Sequence, residues 1–249
     1  MQASAVMLCW LFPVICDPVY GRDVASGMIR ALVFDFDGLI LDTETPLLVS
    51  WREVYDEAGL ALDERWWATV LGASADPPEA YETLEAQLGH PIDRARLWER
   101  HNARGREILA TQDALPGVRE TLATAEALGL KLAVASSSER AWVESLLAEK
   151  QLLRLFNAIV CMEDVRETKP APDLYLEAVR RMEVRPSDAV AFEDSVNGVA
   201  AAVTAGLFCV AVPNDVTRHL DFSHAHLVLE RVDKLPLQAI LDRAEVSAS

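Results

Sequence analysis

Five short apolar runs constrain this chain more than any other feature. They cover residues 29–34, 132–135, 158–161, 189–192 and 208–212. Each is strand length and continuous rather than alternating, as expected of a strand buried on both faces. Helical stretches stand between the later runs, at residues 117–128, 141–149, 173–182 and 197–205, mostly ended by Gly, Asn or Pro. Strands alternating with helices build βαβ units, so the expected fold class is α/β with a doubly wound parallel sheet. One gap breaks the rhythm. From residue 45 to 114 no strand candidate occurs, and the text reads as helices around 47–58, WWATVL, PEAYETLEAQLG and DRARLWERHNARGREILA. The expected layout is therefore a core of residues 28–44 and 115–249, with a helical cap of residues 45–114 over the carboxyl ends of the strands. Such sheets bind their ligands there.

Four strand ends carry polar residues. FDFDG, residues 34–38, puts Asp35 and Asp37 on the same side of the sheet's carboxyl edge, with Gly38 allowing a tight turn. Two carboxylates this close repel each other unless a cation lies between them or one keeps its proton. AVASSSER, residues 133–140, offers Ser136, Ser137 and adjacent amides to an anion at a helix N-terminus. Ordinary capping by Ser137 or Ser138 explains the same residues. ETKPAPDLYLEAV, residues 167–179, holds Lys169 before Pro-x-Pro, either as a positioned ammonium for a phosphoryl group or as a solvated lysine on a turn. AVAFEDSVNG, residues 189–198, ends its strand with Glu193 and Asp194, hard oxygen ligands suited to Mg²⁺. Asp194, Ser195 or Asn197 could equally cap the next helix. One site at four strand ends explains all of these residues together, whereas the ordinary readings must each hold separately.

The formal charge of −16 repels phosphate backbones and anionic lipid, so neither nucleic acid nor a membrane is an expected partner. An anionic substrate would need local positive charge, and only four lysines are available: Lys131, Lys150, Lys169 and Lys234. Cys9, Cys16, Cys161 and Cys209 show no paired spacing, which points to a reduced, cytoplasmic setting. Residues 1–27 contain an apolar stretch, 5–15, with no basic residue before it and Pro13 within it. They read as an extension or a start placed too early rather than a signal peptide. Trp66 and Trp67 cannot share one helix face, so one is expected to pack and the other to stay half exposed. His101 and Asn102 are expected to face solvent. Nothing in the sequence indicates oligomeric state.

FDFDGLILDTE, VASSS, KPAPDLYL and FEDSVNGVAAAVTAG follow one another in an order and spacing that resemble the haloacid dehalogenase superfamily. The likeness is to its β-phosphoglucomutase-like branch, with a Rossmann-like core and a helical cap inserted after the first strand. The resemblance implies that Asp35 is a nucleophile forming an aspartyl-phosphate and that Asp37 is the general acid and base. It implies that Gly38, Ser136, Ser137 and Lys169 surround the phosphoryl group. It places Mg²⁺ between the carboxylates of Asp35 and Asp194 and the backbone carbonyl of Asp37, with Glu193 as a nearby or direct partner.

Departures from the family pattern select among its reactions. Dehalogenases lack the second aspartate, so Asp37 argues for phosphate chemistry. Phosphonatases use a cap lysine, and no lysine stands between Thr45 and Leu130. β-Phosphoglucomutases carry a histidine where this chain has Leu47 and an arginine where it has Ala75. The expectation is a phosphatase acting on a small phosphorylated metabolite such as a sugar phosphate, ahead of a sugar-phosphate mutase or a non-catalytic regulatory protein.

Overall fold

A computed structural model describes residues 28–70 and 78–247 of the chain. The N-terminal extension and the loop bearing Ala75 lie outside the described residues. Strands β1 (Ala31–Phe34), β2 (Lys131–Ala135), β3 (Ala158–Val160), β4 (Ala189–Glu193), β5 (Phe208–Ala211) and β6 (Leu227–Val228) form one parallel sheet. Its order is β3-β2-β1-β4-β5-β6. Between β1 and β2 the chain forms helices α1 (Glu44–Glu57), α2 (Glu64–Val70), α3 (Pro78–Leu88), α4 (Arg94–Leu109) and α5 (Val118–Ala127). Helices α6 (Arg140–Glu149), α7 (Asp173–Arg181), α8 (Val196–Thr204) and α9 (Leu237–Ser247) follow. All five apolar runs are strands. The sequence reading lacked β6, whose two residues are too few to show a period, and α9. The latter was legible, since Leu237, Ile240, Leu241 and Ala244 repeat at helical spacing and are buried.

Alternation along the strands separates two cores by side-chain size. Leu32, Phe34, Val134, Val190 and Phe192 face α5, α6 and α9. Ala31, Ala133, Ala135, Ala189 and Ala191 face α7 and the alanine-rich α8. Small residues on both surfaces let α8 lie close to the sheet. At the centre, Phe34 and Phe192 stand opposite in register and stack with ring centroids 4.8 Å apart. Beyond the strand ends, the Asp35 amide donates to the Phe192 carbonyl and the Ser136 amide to the Val160 carbonyl, each at 3.0 Å. The residues that follow β1 and β2 are thus fixed to the sheet's carboxyl edge.

Helices α1 to α4 bury a separate apolar cluster that includes Leu48, Trp51, Tyr55, Trp67 and Tyr81. Trp51 is its centre, 5.4 Å from the Trp67 ring and 5.3 Å from the Tyr81 ring. Trp67 is fully buried and Trp66 half-buried, as adjacent aromatics on a helix require. Among the described residues, no helix is long and apolar enough to cross a membrane.

His101 on α4 does not face solvent, contrary to expectation: it is 3% exposed. Its ring stacks on Trp51 with centroids 4.5 Å apart, and its Nδ1 lies 2.6 Å from Ser50 Oγ. The polar string ERHNARGRE around it hides this, because the burying partners come from α1. Burial, assisted by the Arg100 charge, pushes the imidazole from 6.5 to about 4. Between those values an unfolded chain binds a proton that the folded one refuses. Stability is therefore full above the unfolded value and lost as pH falls towards 4. Comparing urea unfolding of wild type with His101→Gln, the wild-type free energy should drop by about 2 kcal/mol more between pH 7 and pH 5. Parallel pH curves would show that this ring is not buried in its neutral form.

Candidate active site

The carboxyl edge of the sheet brings together Asp35, Asp37, Gly38, Ser136, Ser137, Lys169, Glu193 and Asp194. Asp35 and Lys169 are buried, and Lys169 Nζ is ion-paired to Asp35 Oδ1. The same ammonium lies 2.7 Å from Glu193 Oε1. The solvated-lysine reading is therefore set aside, since Lys169 is only 3% exposed. Tyr175 on α7 donates its hydroxyl to Glu193 Oε1, and Ser195 Oγ reaches Glu193 Oε2 at 3.2 Å. The Glu193 carboxylate also rests directly on Gly198: a Cβ there would lie 1.9 Å from its carboxyl carbon.

Asp37 points away from this group. Its Oδ2 accepts from Ser138 Oγ at 2.6 Å and from Ser136 Oγ at 3.2 Å, and its Oδ1 from Trp142 Nε1 at 3.0 Å. Neither Ser137 nor Ser138 stands at the cap position of α6, and the Ser138 hydroxyl is spent on Asp37. Glu139 is the residue before α6 and makes no side-chain cap bond. Ser195 does cap α8, accepting from the Gly198 amide at 3.0 Å. Gly38 has φ of 76°, and a Cβ on it would come within 2.2 Å of Asp194 Oδ2. Both the left-handed backbone and the close approach demand glycine here.

The electrostatics are lopsided. Burial raises the Asp35 carboxyl to about 7 against the pull of Lys169, and nearby Glu193 and Asp37 add to the rise. Asp194 is likewise raised by burial, then by Asp35, Glu193 and Glu44. Burial alone would lower the Lys169 ammonium, but the charges of Asp35 and Glu193 outweigh it and hold it above the ordinary lysine value. Ligand oxygens of Asp35, Glu193 and Asp194 lie within 4.8 Å of one another. Buried carboxyls raised for want of positive charge are a good fit for a divalent cation with hard oxygen ligands. The Asp37 carboxylate is not part of that trio, and the expected contribution of Asp37 was its carbonyl.

The sequence reading missed several partners. Asn214 donates to Asp194 Oδ2 at 2.7 Å, and Thr217 Oγ1 donates to the Asp194 carbonyl at 2.8 Å. Both follow β5, and their only sequence signal was the PND turn after the strand. Trp142 gave none beyond its aromatic character. Above these groups is a cavity of about 240 Å³. Asp35, Asp37, Ser137 and Lys169 line it from the sheet, while Leu47, Trp98, His101 and Arg106 line it from the inserted helices. Asn102 lines it too, and so is not turned wholly to solvent.

A family model described as "Haloacid dehalogenase-like hydrolase" matches residues 32–212. YhcW of Bacillus subtilis is 41% identical over 215 residues, which covers 86% of this chain and 97% of that protein. The fructose-1-phosphate phosphatase YqaB of Escherichia coli is 35% identical, covering 73% of this chain and 95% of its own length. Among solved structures, a mutant of CbbY from Rhodobacter sphaeroides in complex with xylulose-1,5-bisphosphate has a TM-score of 0.70 and 30% identity. It covers 84% of this chain and 97% of its own.

Gly198 provides a test of the packing beneath the site. Gly198→Ala must displace the Glu193 carboxylate and should destabilise the protein by about 1–3 kcal/mol in chemical unfolding. A loss below about 0.5 kcal/mol would mean that Glu193 is not seated against this helix.

Proposed function

The chain belongs to the haloacid dehalogenase-like hydrolase family and is one of its phosphoric monoester hydrolases, and on that footing we propose that it hydrolyses a small sugar phosphate through an aspartyl-phosphate. The observation that carries this reading is the buried Asp35, ion-paired to Lys169 on the wall of the cavity, with Asp37 two residues further on. A carboxylate oxygen of Asp35 attacks phosphorus and the ester P–O bond breaks. The Lys169 ammonium and the Ser136 and Ser137 region offset the charge of the phosphoryl oxygens. Asp37, protonated, gives its proton to the departing alkoxide. In the second half Asp37, now a carboxylate, takes a proton from water as the water oxygen attacks phosphorus. The bond from phosphorus to Asp35 then breaks, leaving inorganic phosphate and the original carboxylate. The three hydrogen bonds that Asp37 accepts suit the carboxylate of this second half.

Asp35, Asp194 and the Asp37 carbonyl would hold Mg²⁺, with Glu193 beside them. When bound, the ion supplies positive charge that screens the nucleophile from the phosphoryl oxygens. Sugar phosphates are favoured because YqaB is named for one and the CbbY mutant was solved with another. Leu47 on the cavity wall, where β-phosphoglucomutases carry a histidine, favours hydrolysis over transfer. The buried free thiols of Cys161 and Cys209 suit a cytoplasmic location.

Purified protein with Mg²⁺ should release phosphate from sugar phosphates in a panel that also contains nucleotide and polyol phosphates. Chelation should abolish turnover, and Asp35→Asn should lower kcat by roughly 10³-fold or more. Interconversion of hexose phosphates without net release would replace the phosphatase reading with a mutase. Full activity of Asp35→Asn would end the aspartyl-phosphate mechanism.

A further inference from the structure

Two of the hydrogen bonds that Asp37 accepts come from groups that can turn, and a third comes from one that cannot. Ser136 Oγ and Ser138 Oγ both serve Oδ2, and the serines are linked to each other, since the Ser138 amide donates to Ser136 Oγ at 3.0 Å. A hydroxyl donates or accepts by rotating about its C–O bond. Oδ1 faces the indole N–H of Trp142 at 3.0 Å. An indole N–H only donates, so Oδ1 stays an acceptor whether Asp37 is charged or neutral, and a proton on Asp37 belongs on Oδ2. The ring itself is held in place. Trp142 stands in the first turn of α6 and packs against the larger core. Helix α4 covers it from the other side: the Arg106 guanidinium lies 5.2 Å from the ring centroid, and a Cβ on Gly105 would lie 3.9 Å from Trp142 Cη2. The indole thus meets Asp37 from a fixed direction.

We propose that Trp142 is a positioning residue for proton transfer: its indole N–H fixes the plane of the Asp37 carboxyl group, so that Oδ2 is the oxygen that gives and takes the proton. This rests on the hydrolase reading above. In the first half the Oδ2–H bond breaks as an O–H bond forms to the leaving oxygen. In the second half an O–H bond of water breaks as the Oδ2–H bond forms again. Ser136 and Ser138 turn with each change, while Oδ1 accepts from Trp142 throughout. A well-placed general acid or base contributes about 10²–10⁴-fold to rate, and that contribution depends on the geometry of the transferring group. Loss of the indole bond therefore weakens only those reactions whose leaving oxygen needs a proton, which separates positioning from packing.

The test compares p-nitrophenyl phosphate, whose nitrophenolate departs without a proton, with the alkyl phosphate of the panel that turns over fastest, whose alkoxide needs one. The kcat/KM values cover the steps up to cleavage of the ester bond, so they read the acid role of Asp37 alone. In Trp142→Phe the ratio of kcat/KM for the alkyl phosphate to that for p-nitrophenyl phosphate should fall by about fivefold or more. A ratio within about twofold of wild type would overturn the assignment, because lost packing lowers both values together. Replacing Trp142 by 3-benzothienylalanine keeps the shape of the ring and removes only the N–H. It should lower the ratio equally, and it decides the matter if Trp142→Phe folds poorly by circular dichroism. A further measurement needs no turnover. The indole N–H proton resonance of Trp142, identified by its loss in Trp142→Phe, should move upfield in Asp37→Ala, and an unmoved resonance would overturn the contact. Absence of phosphate release from every substrate would count against the hydrolase reading, while the resonance still decides whether Trp142 holds Asp37.

Discussion

Lys169 is a single buried ammonium set among buried carboxyls, and the rest of the site depends on how that imbalance is resolved. Asp35, Glu44, Glu193 and Asp194 are all less than a tenth exposed, and the ammonium pairs directly with only two of them. Opposite charges about 4 Å apart attract by about 4 kcal/mol at an effective dielectric of 20, and like charges repel equally. One lysine therefore steadies Asp35 and Glu193 but leaves Asp194 and Glu44 to be neutralised by protons or by a cation. Burial first, and the neighbouring carboxylates after it, raise the proton affinity of both. On the reading proposed above, a divalent ion held here would offset that imbalance and let an acidic chain of net charge −16 accept a phosphate.

The sheet makes this crowding possible. A parallel sheet with both faces covered has few places for polar side chains except its strand ends, and its carboxyl edge collects all of them on one side. Backbone bonds from Asp35 and Ser136 continue the ladder past the strands, so these side chains are placed by the sheet and not by mobile loops. Two glycines complete the arrangement by leaving room. Gly38 lets the β1 turn pass against Asp194, and Gly198 lets α8 seat the Glu193 carboxylate. Tyr175 and Ser195 then bond to the oxygens of Glu193, which makes this residue a positioner of Lys169.

The core was legible because its signals are local. A strand buried on both faces announces itself by continuous apolar residues; DxDG, SSS and ED stand directly after such strands, and KPAP stands just before the helix that follows β3. What could not be read depends on contacts between segments far apart in sequence. His101 sits in a strongly polar string and was assigned to solvent, but Ser50 and Trp51 enclose it from α1. Trp142 carries no motif, yet its indole N–H holds Asp37 across 105 positions of sequence. Asn214 and Thr217 follow β5, whose end shows only a Pro-Asn-Asp turn, and they brace Asp194 through a side-chain amide and a hydroxyl.

The cavity thus has two walls of different physical character. On the sheet side every carboxyl oxygen of Glu193 and Asp37 already has a partner within the fold, and the geometry is fixed before any ligand arrives. On the helical side, Leu47, Trp98 and Leu109 give the lining a largely apolar character. Bonds completed within the fold hold reacting groups in place at no further entropic cost, which is what group transfer requires. The division follows from the chain's architecture: strand ends supply a rigid edge for the phosphoryl chemistry, and the helices inserted after β1 supply a surface whose residues can change without disturbing that edge.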